Sequence, residues 1–167
     1  MKAAFESFFR RLTAAASGLQ SAFLLFVRLY WGWQFIGTGW GKVNNIVKVS
    51  SFFTTLGIPF PELNAHFVAG LELAGGILLV LGLGSRLIGL LLSTNMLVAY
   101  MAADREALLS FLSDPDKFTA AAPFTFLAAS LVAFVFGAGR YSVDSWIGWR
   151  NRPNDAPGHA RVSGMAD

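Results

Sequence analysis

The sequence predicts an all-α fold: a four-transmembrane-helix bundle with short interfacial helices. Three observations point to it. Four apolar stretches, placed at about 19–40, 65–84, 86–103 and 118–138, each approach the ~17 to 25 residues a helix needs to cross hydrocarbon. The composition is 54% hydrophobic and 14% charged, against roughly 25% charged in a soluble domain. Two of the stretches hold opposite charges, Arg28 and Glu72, and ionisable side chains at membrane depth face the interior of a bundle rather than lipid.

Ahead of the first span, Phe5, Phe8, Phe9 and Leu12 recur at helical spacing beside Arg10 and Arg11. Residues 1–17 are therefore expected to form an amphipathic helix lying on the membrane surface. The basic residues precede no separate short apolar region, so a cleaved signal peptide is not expected. Residues 18–146 are expected to form one membrane domain, since the linkers leave no room for a second core.

The first loop is long, and Ile46, Val49, Phe53 and Leu56 predict an interfacial helix there, ended by Gly57. Pro59 and Pro61 would hold the return extended, with Asn64 capping the second span. The next linker is only Gly84 to Arg86, so spans two and three are antiparallel neighbours. The outer segment 104–117 begins at a capping Asp104 and ends at the turn signal Asp114–Pro115. The polar tail 147–167 is expected to be disordered.

Lys and Arg outside the spans number eight on the side of Lys2, Arg10, Arg11, Arg86 and the C-terminal tail, and four on the other (Lys42, Lys48, Arg105, Lys117). That asymmetry predicts a multi-pass protein of the cell membrane with both termini cytoplasmic. It also accounts for the net charge of +3 through lipid and topology, so no nucleic-acid partner is expected; the partner that the composition implies is the bilayer.

There is no cysteine, so the chain forms no disulfide, thiolate nucleophile or iron–sulfur ligand set, and sulfur chemistry would take place on a partner. His66 and His159 lie outside the spans, and no cluster has metal-ligand spacing, so no metal site is expected. The glycine pairs Gly82, Gly84 and Gly137, Gly139 lack a nucleotide fingerprint. Gly37 and Gly41 match GxxxG and are read as helix packing.

Counting 1.5 Å per residue from a helix start near Gly18, and inward from Asn64, places Arg28 and Glu72 near mid-depth, with Asn95 of the third span at the same level. Two readings stay open. Arg28 and Glu72 form a structural ion pair that fixes helix register, or they form a polar pocket with Asn95, Trp31 and Lys42 for a ligand headgroup or a proton. At the C-terminal end, Arg140, Tyr141, Asp144 and Trp146 read as an interface anchor of basic and aromatic residues, with Asp144 capping a short surface helix. A catalytic set cannot be named.

The ordered motifs RLYWGWQFIGTGWGKV, GIPFP, GLELAGGILLVLGLGSR and GAGRYSVDSW resemble the DoxX family of small four-helix membrane proteins, from Arg28 to about Trp146. The resemblance implies a bundle with both termini inside. Some relatives are associated with thiosulfate-to-quinone electron transfer or with membrane redox and thiol-stress complexes. The expected function is accordingly a subunit or scaffold of a membrane redox complex, a non-autonomous oxidoreductase component with no intrinsic cofactor. It would interact with a quinone and with redox-enzyme partner subunits, or with further copies of itself. The alternatives are a structural or assembly protein and a small-molecule transporter; transporters commonly show repeated halves, and no repeat is present in this sequence.

Overall fold

The computed structural model describes residues 2–150. Eight helices follow in order: α1 (Lys2–Asn44), α2 (Ile46–Thr55), α3 (Pro61–Leu81), α4 (Ser85–Ala103), α5 (Arg105–Leu109), α6 (Pro115–Ala120), α7 (Pro123–Phe136) and α8 (Val143–Arg150). No strand occurs among the described residues. Three helices, within α1, α3 and α4, are long and apolar enough to cross a membrane. The fourth apolar helix, α7, has 14 residues, or ~21 Å at 1.5 Å per residue.

That last value departs from the expected span 118–138. Pro123 interrupts it: a proline offers no N–H to the preceding turn and is favoured at the first helical position. The segment accordingly divides into α6, an extended Ala121 and α7 with Pro123 at its start. At the other end of the chain, α1 runs through Gly18 without a break. The expected surface helix over 1–17 is thus continuous with the first span, in one helix ~65 Å long. A single glycine lowers helix propensity by ~1 kcal/mol but does not by itself stop a helix. The expected disordered tail falls from residue 151 onward outside the described residues.

Helix ends follow local chemistry. Gly57 is left-handed (φ 71°) and ends α2, with Gly57 N–H donating to Thr54 O and Ile58 N–H to Phe53 O. The α3–α4 turn uses left-handed Gly82 and Gly84. Asn64 does not cap α3. Pro61 opens that helix, and the Asn64 amide donates to Pro59 O at 2.7 Å instead. Asp104 precedes α5 without a side-chain cap bond, while Asp114 accepts from Lys117 N–H and caps α6.

Helix α1 packs on α3, α3 on α4, α4 on α7 and α7 on α1, with α2 lying against α3. The core contains Phe35, Leu79, Leu92, Met96, Tyr100 and Leu127. Close approach of α1 and α3 is set by glycines. A Cβ on Gly39 would run into the Leu73 backbone, and one on Gly76 into Gly32 O and Ile36. Gly37 and Gly41, the GxxxG pair expected to pack, meet nothing within 4 Å. Polar and charged groups are buried (Arg28, Glu72, Ser85, Ser93, Ser130) while many Leu, Phe, Val and Trp side chains point outward. A chain with apolar groups outside and polar groups inside is suited to lipid.

Candidate functional site

Arg28 and Glu72 are both buried, yet they belong to two separate clusters. The register of the antiparallel α1–α3 pair decides this. Gly32 lies against Gly76 and Val80, and Gly39 against Leu73, so Arg28 falls level with the last turn of α3. Lys42, about four turns further along the same face of α1, falls level with Glu72. The expected Arg28–Glu72 pair is therefore not formed, and Arg28 sits at one end of the bundle rather than at mid-depth.

At that end, the Arg28 guanidinium serves as a cap for carbonyls. Its Nε donates to Leu79 O at 3.0 Å, one terminal nitrogen to Val80 O at 3.1 Å, and the other to Tyr141 O at 3.1 Å and to Ala138 O. Leu79 and Val80 belong to the last turn of α3, where the Leu79 carbonyl also accepts from Gly82 N–H at 3.1 Å and the helix dipole favours a cation. Beside it, Asp144 accepts from Gly84 N–H at 2.8 Å and Ser85 N–H at 3.0 Å, and its own N–H donates to Gly82 O at 3.0 Å. Asp144 therefore caps α4 rather than its own helix. The cap of α8 is Ser142, whose Oγ accepts from Ser145 N–H at 3.1 Å. In this junction α1, α3, α4 and the segment after α7 are tied by hydrogen bonds that occupy four of the five arginine N–H groups. Arg140, Tyr141 and Trp146 have exposed side chains at the same end; Tyr141 contributes its carbonyl to Arg28.

The second cluster lies in the middle of α3 and α4. Lys42 Nζ forms a salt bridge with Glu72 Oε2, and the other carboxylate oxygen accepts from Asn95 Nδ2 at 3.2 Å. Helices α1, α3 and α4 each supply one member. The Glu72 side chain is 3% exposed and that of Lys42 30%. Two cavities meet at this pair. One, about 200 Å3, is bounded by Lys42, Glu72, Asn95, Asn64 and the apolar Phe52, Phe53, Leu56, Ile58, Val68 and Val98, so α2 forms one wall. The other, about 210 Å3, is bounded by Thr38, Lys42, Glu72, Met96, Ala99, Pro123 and Phe126. Trp31 lines neither cavity. It packs edge-on against Phe126 with ring centroids 5.3 Å apart, and Phe126 also meets Phe35.

Such an arrangement offers an ammonium donor, an amide and a carboxylate acceptor at the end of an apolar slot. Each cavity is smaller than the ~300 to 1,000 Å3 that encloses a drug-sized ligand, so each suits a ring or headgroup whose tail remains in lipid. Among the described residues no group of His, Cys, Asp and Glu could hold a metal ion. Of the sequence-derived candidates, the structure brings together Glu72, Asn95 and Lys42. It places Arg28, Tyr141 and Asp144 in the junction, with Arg140 and Trp146 exposed beside it. Phe52, Phe53 and Asn64, which line the first cavity, were read in sequence only as an interfacial helix and a cap. Their helical spacing was visible, but nothing local says that α2 folds back over Glu72.

The DoxX family model matches residues 23–105, a stretch that contains Arg28, Lys42, Glu72 and Asn95 and ends before Asp144. Among curated proteins the chain is similar to one of Bacillus subtilis (strain 168) named "Putative oxidoreductase CatD", 29% identical over 83 residues. That alignment covers 50% of this chain and 60% of the relative's length. No solved structure matches. The matched stretch includes the whole Lys42–Glu72–Asn95 cluster and Arg28 of the junction, and the chain belongs to the DoxX family.

Proposed function

We propose that this chain is a membrane subunit or scaffold of a redox complex, and that its Lys42–Glu72–Asn95 site holds the carbonyl headgroup of a lipid-soluble quinone. The observation that carries the reading is a buried carboxylate at mid-helix, held by one ammonium and one amide, at the meeting point of two largely apolar cavities. Ionisable groups within membrane spans are rare and mark substrate pathways and proton relays. The redox part draws support from the name of the Bacillus subtilis relative and from family resemblance. A quinone supplies two-electron, two-proton chemistry when bound. The part of this chain is to bind and orient it: Lys42 and Asn95 donate to a carbonyl oxygen, Glu72 fixes both donors, and the Phe52 and Phe53 rings cover the apolar body.

In the same reading, α7 with the short α6 forms the fourth crossing, both chain termini lie in the cytoplasm, and the protein resides in the cell membrane. The basic-residue asymmetry supports this orientation. A second reading, a structural or assembly protein, is favoured by the Arg28–Asp144 junction, where the charged side chains are engaged with backbone groups of the helix ends. Native mass spectrometry of gently extracted protein separates the two. Bound quinone that is lost in the Lys42→Met/Glu72→Leu variant supports the site. Redox-enzyme subunits retained with no quinone, in either protein, support the scaffold alone.

A further inference from the structure

One side of α1 carries Tyr30, Gln34, Gly37, Gly41 and Asn44 at steps of four, three, four and three, and all five are exposed. Such steps keep a seam on one side of a helix, in register for a parallel partner. The seam points away from α3, which is contacted by Gly32 and Gly39; a Cβ on Gly37 or Gly41 would meet nothing within 4 Å. Gln34 lies ~9 Å along the axis from Arg28 and ~12 Å from Lys42, inside the apolar stretch. No described residue hydrogen-bonds its side-chain amide. Lipid tails supply neither donor nor acceptor, so an amide facing them is strongly disfavoured.

We propose that α1 joins two copies of this chain through this seam, as a parallel pair with Gln34 opposite Gln34. Depth selects a second copy over another protein. Copies inserted in the same direction carry Gln34 at the same level, so a two-fold axis along the membrane normal brings the two amides together. An amide both donates and accepts, and the contact is self-complementary as an isologous interface requires. Gly37 and Gly41 let the two backbones approach closely. Tyr30 and Asn44 close the seam at its two ends. The interface uses none of Lys42, Glu72 and Asn95.

The absence of cysteine permits a direct test. Single Gln34→Cys, Gly37→Cys and Gly41→Cys variants in dilute lipid vesicles should cross-link to themselves on oxidation. Phe67→Cys on α3 and Leu97→Cys on α4, at sites equally open to lipid, should not. In a vesicle energy-transfer assay, Gly37→Ile should weaken dimerisation by ~10-fold, and Gln34→Leu should shift it in the same direction. The space beside Gly37 leaves the monomer fold intact, which an unchanged melting temperature in detergent verifies. Equal cross-linking at the α3 and α4 positions, monomer at every protein density, or a dimer indifferent to Gly37→Ile would overturn the proposal. So would capture of a different protein by Gln34→Cys in native membranes in place of the self-linked product.

Discussion

Lys42 and Glu72 form an unequal salt bridge: the Glu72 side chain is 3% exposed, whereas that of Lys42, near the end of α1, is 30% exposed. Glu72 therefore depends on Lys42 more than Lys42 depends on Glu72. Removal of the lysine leaves a buried carboxylate with Asn95 as its remaining described partner, while a lysine without its glutamate can carry its charged head toward water on a flexible stem.

Unequal single-mutant effects follow. Lys42→Met is expected to destabilise the protein by ~3 to 5 kcal/mol, the range for stranding one member of a buried pair. Glu72→Gln, which keeps an acceptor for Asn95, should cost ~1 to 3 kcal/mol. The Lys42→Met/Glu72→Leu double variant should recover much of the lysine loss. A double-mutant cycle in detergent checks the coupling. The Arg28–Glu72 cycle should be additive within ~0.5 kcal/mol, because the two share no partner.

The junction at the other end of the bundle should respond to the shape of its cation. Arg28 reaches four carbonyls from three nitrogens, which a lysine cannot do from a single ammonium. Arg28→Lys is expected to lose ~2 to 3 kcal/mol, the value of about one hydrogen bond to a charged group. It should raise hydrogen exchange and protease cleavage over residues 138–145 ahead of the rest of the chain. Loss of stability without local exposure there would argue against the capping role.

Asp144→Ala removes the acceptor of Gly84 N–H and Ser85 N–H and is expected to cost ~0.5 to 2 kcal/mol, as for other N-terminal caps. Asp144→Asn should recover part of that loss. Combined with Arg28→Lys, the effect should depart from additivity, since Arg28 holds the Leu79 and Val80 carbonyls immediately before the turn that Asp144 caps. Thermal melts of the four variants measure it.

Much of this architecture is legible in the sequence, and the failures have definite physical causes. The helices around Arg28, Glu72 and Asn95 follow from hydropathy alone. The pairing of Glu72 with Arg28 does not survive, because depth was counted from Gly18 and α1 has no boundary there; Lys42 lies on the same face and meets Glu72 instead. Only the axial register chooses between those two cations, and it is set by Gly32 and Gly39 of α1 against Gly76 and Leu73 of α3, a long-range fit that composition does not reveal. Pro123 was readable as a helix start and shortens the fourth apolar helix. Asp144 was readable as a cap, but its target is α4, some sixty residues earlier in the chain, beyond any local pattern. The wall that α2 builds beside Glu72 is likewise a tertiary contact.

Those glycines give a separate prediction. Gly39→Ala would push a methyl into the Leu73 backbone and should cost ~1 to 3 kcal/mol, as overpacking does. Gly41→Ala, with nothing within 4 Å, should leave the monomer's melting temperature unchanged or slightly raised. Paired thermal melts in detergent decide it.

Orientation can be measured with single cysteines at Ser51 and Ser163, which should label from opposite sides of the membrane. Labelling of both from outside would contradict the arrangement with both ends in the cytoplasm.

Quinone binding at the proposed Lys42–Glu72–Asn95 site is measured by ligand-induced thermal stabilisation. A short-chain quinone analogue should raise the melting temperature of the unaltered protein in a saturable, concentration-dependent way, by mass action on the folded state. The Arg28→Lys variant should show the same shift from its lower starting point, and the Lys42→Met/Glu72→Leu variant none. An equal shift in the unaltered protein and the double variant, or no shift in either, would contradict the claim.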